Sequence, residues 1–249
     1  IPYGTTLSNN GNSWTCDDVD AFTDQRGLPR PIASGDACTA GSVEVASFCP
    51  SWTATTADEL HECITLANAN EGAGPTADTI ELMADVTLTS VDNTVSGPAG
   101  LPVITSEIVL NGSGFTIRRD SGAATFRLIT VTSGGNLTLN QVSLTGGTAS
   151  GTFPAGSGGA IYSEGSLHIN DSTLFDNASS FGGAVYVRDG TATVASSLLH
   201  TNTATGSGGA FYNNATLGIT NSTLTENTAG TGGGLYNFSG AAIRGTTIA

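Results

Sequence analysis

Asp176 and Glu226 hold the same place in two segments of a chain that repeats about every 25 residues, with Thr201 at that place in the segment between them. A glycoside hydrolase sets two carboxylates about 5 to 9.5 Å apart across the scissile bond. Neighbouring coils of a stacked repeat lie about 4.8 Å apart, so carboxylates in register one or two coils apart are the signature to look for. Asp176 and Glu226 are the best such pair, although acidic residues beside a turn on an acidic chain are ordinarily just solvated. A polysaccharide lyase would instead need a calcium nest with a nearby cationic base. The repeats offer only Arg188 and Arg244, whose columns do not match. Asp17, Asp18, Asp20 and Asp24 are candidate calcium ligands by charge, but their spacing lacks the glycine and closing glutamate of an EF-hand loop. No other cofactor is implied. His61, His168 and His200 fall in different columns with no serine or cysteine nucleophile context and read as surface or cap residues.

Cys16, Cys38, Cys49 and Cys63 all lie in the first quarter of the chain. An even, clustered set suggests two disulfides, preferentially Cys16 with Cys38 and Cys49 with Cys63 among three connectivities, and places the chain in an oxidising compartment. The rival is a four-cysteine zinc site, which usually brings its ligands in close C-x2-4-C pairs; spacings of 22, 11 and 14 lack them.

These residues are positioned by four similar segments, GSGGAIYSEGSLHINDSTLFDNASS, FGGAVYVRDGTATVASSLLHTNTAT, GSGGAFYNNATLGITNSTLTENTAG and TGGGLYNFSGAAIRGTTIA. Their tyrosines, Tyr162, Tyr186, Tyr212 and Tyr236, recur at spacings of 24, 26 and 24, a period that marks units able to bury their apolar faces only by stacking. About 25 residues cannot contain a crossover helix in every unit, and the intervening Gly, Asn and Ser are turn material. The pattern predicts an all-β fold, a right-handed parallel β-helix with three short strands per coil. Its inward columns are Leu167, Ala192 and Leu217; Ile169, Val194 and Ile219; and Leu174, Leu199, Leu224 and Ile248. Asn177, Asn202 and Asn227 form a polar column whose amides can bond from coil to coil, a structural ladder. Ile161, Val185, Phe211 and Leu235 adjoin the tyrosines, and strand alternation puts one of these two columns inside. With the aliphatic column inside, a tyrosine ridge is exposed for sugar stacking, subunit packing or a stabilising aromatic ladder.

The solenoid is expected over residues 76–249. Residues 1–75 form an irregular, disulfide-stapled region that ends in a capping helix from Thr56 to Asn70. Thr56 and Glu59 make the capping box, and Leu60, Cys63, Ile64 and Ala67 the apolar face. The cap is physically required, because a first coil otherwise presents open strand edges and bare core. At the other end GTTIA stops where earlier repeats continue, so either the chain goes on or another subunit covers the last coil.

All seven basic residues are arginine, against 21 acidic ones, for a formal net charge of -14. That balance repels nucleic acid and anionic lipid headgroups. No apolar run approaches the roughly 20 residues a spanning helix needs, and Ile1 does not begin a cleavable leader, so the chain reads as mature and soluble. Seven N-x-S/T sequons occur, at Asn111, Asn136, Asn170, Asn177, Asn214, Asn221 and Asn237, and Asn-rich turns generate several of them without any glycosylation.

The GGAIY, LHINDSTL and NSTLTEN segments resemble the repeats of bacterial right-handed parallel β-helix surface proteins. ELHECITLANAN followed by ADTIEL resembles the CSLREA-type motif that opens many of them, with Asp58 where that motif has cysteine and Cys63 where it has alanine. The resemblance implies a helix that caps the solenoid. The expected function is that of a secreted, non-catalytic structural or adhesive element of the cell surface that self-associates into an array or filament. A carbohydrate-active enzyme and a glycan-binding module on the same scaffold are the alternatives.

Overall fold

The computed structural model describes residues 6–9, 12–15, 49, 52–69 and 77–249. The chain divides into two compact units, Ile1–Phe48 and Cys49–Ala249. In the first, strand Thr6–Asn9 pairs antiparallel with Asn12–Thr15. Cys16, Cys38 and the acidic group Asp17, Asp18, Asp20 and Asp24, with the bridge and calcium site expected of them, lie outside the described residues.

The second unit is a parallel β-solenoid. One coil runs through strands Ser166–Asn170, Thr173–Phe175, Ala178–Phe181 and Val185–Val187 before Thr191–Ala195 starts the next. Each strand pairs in parallel with its equivalents in neighbouring coils, as in Leu167 opposite Ala192 and Ala192 opposite Leu217. The sheet containing Ser166–Asn170 has eight strands, from Thr53–Ala54 to Ala241–Arg244, which makes about eight coils. The sheet of Thr173–Phe175 has seven strands and that of Val185–Val187 five. These are the three sheets the repeat length calls for. A fourth, of three strands, adds Ala178–Phe181, Thr203–Ser207 and Thr228–Thr231 in segments that read as turn material. Its register slips along the strand, which is what Ser, Thr and Gly with no alternating apolar face should give.

Side chains of two bonded strands in register must point the same way, so the period of the sequence becomes apolar stacks along the axis. Leu137, Leu167, Ala192 and Leu217 form one stack; Leu139, Ile169, Val194 and Ile219 a second; Leu144, Leu174, Leu199 and Leu224 a third. All are buried. Ile248, which continues the third stack in the last coil, is 43% exposed.

Left-handed residues make the corners. Gln141, Asp171, Ser196 and Asn221 have φ of 53°, 49°, 50° and 50°, and Asp176, Thr201 and Glu226 have 53°, 52° and 57°. At a third corner stand Gly158, Gly182, Gly208 and Gly232, at 66°, 64°, 71° and 66°. Only glycine fits there, because an added Cβ would sit 2.1, 2.2, 2.4 and 2.5 Å from the carbonyl oxygens of Ile161, Val185, Phe211 and Leu235. The first two corners are less crowded and use polar residues that tolerate the left-handed conformation.

The helix spans Ala57–Ala69 and buries Leu60, Cys63, Ile64 and Ala67 over the first coils. At its start Thr56 Oγ1 accepts from the Glu59 amide (3.2 Å), while the Glu59 carboxylate accepts from the Thr55 amide and hydroxyl (2.7 and 2.6 Å). The capping box therefore closes one residue early, and the Thr55 hydroxyl, followed by its amide, holds the Glu59 pKa below the ordinary carboxylate range. Asn68 donates to Val103 O (2.7 Å) and accepts from the Thr105 amide (2.9 Å), which ties the helix to the segment beneath it. The Cys49–Cys63 disulfide fastens the helix to the chain ahead of strand Thr53–Ala54.

Candidate functional site

Asp176 and Glu226 each occupy a left-handed corner position and are exposed. They stand at the same corner two coils apart, and Thr201 between them is held by its own bond to His200 O (2.7 Å). The three histidines are separate. His61 bonds Asp92 beside the cap, His168 Nδ1 bonds Thr193 Oγ1 (2.8 Å), and His200 stacks on Phe175 at 5.3 Å between ring centroids. Among the described residues no three His, Cys, Asp or Glu side chains gather as metal ligands.

Asn177, Asn202 and Asn227 are buried just after the Asp176 corner column. Asn177 Nδ2 donates to Asn202 Oδ1 and Asn202 Nδ2 to Asn227 Oδ1, both at 3.0 Å. The same oxygens accept the backbone amides of Asn177 (3.1 Å) and Asn202 (3.0 Å), and Asn177 Oδ1 accepts that of Gly147 (3.0 Å). Each amide thus satisfies a buried N–H that has left the strand ladder at the corner.

A second ladder runs through Ser172, Ser197 and Ser222, buried at the corner before strand Thr173–Phe175 and its equivalents. The amides of Val142, Ser172 and Ser197 donate to the hydroxyls of Ser172, Ser197 and Ser222, each at 3.1 Å. Its sequence signal is the same 25-residue spacing, hidden among many other serines. A third, half-buried ladder runs on the outer face of the longest sheet: Asn170 donates to Asn140 (3.0 Å), Asn140 to Asn111 (2.9 Å) and Asn111 to Glu81 (2.6 Å). These ladders engage three sequon asparagines, Asn111, Asn170 and the buried Asn177, whereas Asn214, Asn221 and Asn237 are exposed.

The tyrosine column departs from the exposed ridge expected of it. The aliphatic column is inside as anticipated, with Ile161, Val185 and Phe211 buried, but Tyr162 and Tyr186 are buried too, and Tyr212 and Tyr236 half-buried. Two causes are visible. Successive rings stack on one another, with centroids 5.6, 4.7 and 4.8 Å apart from Tyr162 through Tyr236. Segments outside the repeat then cover what remains: the Arg127 guanidinium lies over the Tyr162 ring at 4.9 Å and the Phe153 ring 5.8 Å from Tyr186. Phe181 meets Tyr212 edge-on at 6.0 Å. Burial pushes the pKa of Tyr162 and of Tyr186 up to about 12. The Tyr162 hydroxyl donates to Glu164 Oε1 (2.9 Å), which also receives Arg188 Nη1 (2.8 Å).

Arg127 is fully buried, and sequence reading passed over it as one of a few scattered arginines. Its Nη2 donates to the carbonyls of Ser96, Pro154 and Ala155 at 2.9, 3.0 and 2.8 Å, fastening two loops over the tyrosines. Burial lowers its pKa to about 10.

The fold and these ladders define a parallel β-solenoid with polar and aromatic stacks along its axis. No protein-family model, curated protein or solved structure matches the chain. Among the described residues no helix is long and apolar enough to cross a membrane.

Proposed function

We propose that this chain is a secreted, non-catalytic structural or adhesive element of an extracellular surface, which self-associates into a larger array or filament. One observation carries the reading. The polar and aromatic columns that dominate the repeat are spent on one another, as asparagine, serine and tyrosine stacks, and so serve the rigidity of a rod. The carboxylates best placed for hydrolysis, Asp176 and Glu226, stand exposed at a corner two coils apart, whereas a ligand site is ordinarily a concave cleft. The Cys49–Cys63 disulfide favours an oxidising, extracytoplasmic setting. On the same reading the chain resembles bacterial β-helix surface proteins, and its helix plays the part of their CSLREA-type cap.

Negative-stain electron microscopy of the protein from its native source tests this. Regular filaments or sheets are expected; isolated short rods at high protein concentration would refute self-assembly. Turnover of any member of a panel of acidic and neutral polysaccharides, lost in Asp176→Asn/Glu226→Gln, would instead make the chain a carbohydrate-active enzyme.

Glycan binding is a second reading, favoured by the half-buried Tyr212 and Tyr236 beside Phe238, which is 71% exposed. The faces of Tyr186 and Tyr212 are taken by their neighbours, so a sugar ring would stack on Tyr236 or Phe238. Sugar retention lost in Phe238→Ala with particle size unchanged would support it.

A further inference from the structure

Five buried side-chain polar atoms among the described residues have no hydrogen-bond partner: Arg127 Nε and Nη1, Thr130 Oγ1, Ser157 Oγ and Asn136 Oδ1. The first four belong to three residues grouped about Tyr162 and Pro154. Thr130 pairs in register with Tyr162, so its side chain stands on the same outer face, one coil before that ring. One face of the Tyr162 ring is stacked on Tyr186, so the guanidinium over the ring lies on the opposite, Thr130 side. Ser157 is adjacent, because its backbone amide and Arg127 Nη2 share the Pro154 carbonyl, at 3.1 and 3.0 Å.

All four atoms can donate a hydrogen, and one group carries a full positive charge. The ion pairs seen among the described residues involve Arg188 and His61, and Arg127 has none. Three carbonyl dipoles meet Nη2, which leaves the Nε–H and the Nη1 hydrogens unserved. A buried, unpaired charge is costly, and a buried donor without an acceptor adds to the cost. A water molecule would supply two lone pairs to this set of donors but no charge. A small anion supplies both the acceptor and the charge.

We propose that Arg127, Thr130 and Ser157 form a buried site for a single halide-sized anion, chloride in ordinary solution. One unserved nitrogen of Arg127, Nε or Nη1, whose hydrogens diverge in the guanidinium plane, and the hydroxyls of Thr130 and Ser157 donate to it beneath the loops 93–99 and 149–158. The close packing of those loops argues for a monatomic ligand. A Cβ added at Gly97 would lie 2.6 Å from Ala155 Cα and 3.0 Å from Arg127 Nη2, so the two loops touch where they cross the guanidinium. The anion completes a clamp that keeps both loops over the end of the tyrosine stack.

The test compares melting temperature in sodium chloride, sodium bromide and sodium gluconate at equal ionic strength, with bromide located by anomalous diffraction in crystals grown from the bromide salt. The expected result is a saturable rise in melting temperature with chloride and bromide but not gluconate. A bromide peak should lie within hydrogen-bonding distance of Arg127, Thr130 and Ser157. Arg127→Met should abolish the halide dependence. Should that variant fail to fold, Thr130→Val and Ser157→Ala, each lacking one neutral donor, should weaken the apparent halide affinity roughly tenfold. Equal melting in halide and gluconate would overturn the proposal. So would water in place of bromide, or a bromide peak unaccompanied by any halide dependence, which marks adventitious binding.

Discussion

Asn202 is the middle rung of the buried asparagine ladder, and replacing it by alanine tests whether the ladder holds the solenoid together. Its Oδ1 accepts from the Asn177 amide and Nδ2 at 3.1 and 3.0 Å, and its Nδ2 donates to Leu174 O at 2.9 Å and to His200 O and Asn227 Oδ1 at 3.0 Å. Three of these partners have alternatives: Asn177 Nδ2 keeps the Leu144 and Phe175 carbonyls, His200 O keeps the Thr201 hydroxyl, and Asn227 Oδ1 keeps the Asn202 amide. The Asn177 backbone N–H and the Leu174 carbonyl each lose a buried hydrogen bond. At roughly 1 to 3 kcal/mol for each, Asn202→Ala should cost about 2 to 6 kcal/mol, a large part of a typical domain's stability. Urea denaturation followed by circular dichroism should show a midpoint lower by roughly 1 to 2 M. Asn214→Ala is the control, because the exposed Asn214 side chain makes a single 3.4 Å contact, with Arg188 O; it should shift stability by less than about 0.5 kcal/mol. Asn202→Asp should be at least as damaging as alanine at neutral pH, since a carboxylate would face Leu174 O and Asn227 Oδ1, and milder in acid, where a protonated oxygen can donate again. Asn202→Ala indistinguishable from Asn214→Ala would refute the argument and reduce the ladder to a by-product of stacking.

Tyr162 and Tyr186 keep their protons to about pH 12 in the fold, whereas the unfolded chain gives them up near pH 10. The folded state therefore binds two more protons between those limits, and stability falls as pH rises. Arg127, lowered to about 10, binds one fewer in the same window, so the net loss is about 1.4 kcal/mol per pH unit. Absorbance at 295 nm with denaturation at pH 10, 11 and 12 checks both parts, and titration of every tyrosine near pH 10 would contradict them. Reducing Cys49–Cys63, which closes a loop of sequence separation 14, should cost about 3 kcal/mol, with hydrogen exchange accelerating first in Ala57–Ala69. Gly208→Ala should destabilise by at least about 1 to 2 kcal/mol, because φ is 71° and the new Cβ would meet Phe211 O; an unchanged melting temperature would show that the corner yields.

The repeating part of this molecule is written plainly in its sequence. Parallel pairing in register turns a spacing of about 25 into a column, so Leu167, Ala192 and Leu217 can be stacked without coordinates. The capping helix is legible from Thr56, Glu59 and the spacing of Leu60, Cys63, Ile64 and Ala67. What periodicity misses is whatever crosses it. Tyr162 and Tyr186 are buried by Arg127 and Phe153, which belong to no repeat and meet the column only through loop paths that have no period. The fourth sheet was hidden because Thr203–Ser207 and its partners lack the apolar alternation that identifies a strand, and hold their place by pairing with the coils on either side.

Along the longest sheet, Asn136 lies 30 residues before its partner Ser166, whereas Ser166 lies 25 before Thr191 and Thr191 25 before Thr216. The strands from Asn136–Asn140 to Ser143–Thr145 match those from Ser166–Asn170 to Thr173–Phe175 in length and separation, so the surplus falls between Thr145 and Ile161. That stretch holds the loop over Tyr162 and Tyr186. The coil that begins at Asn136 thus keeps the perimeter of its successors on most of its circumference and is lengthened along one edge. Insertions and deletions that leave the stacks intact should collect on that edge or arrive as whole coils. A rod of this kind can change its decoration or its length while the geometry of its remaining faces stays constant.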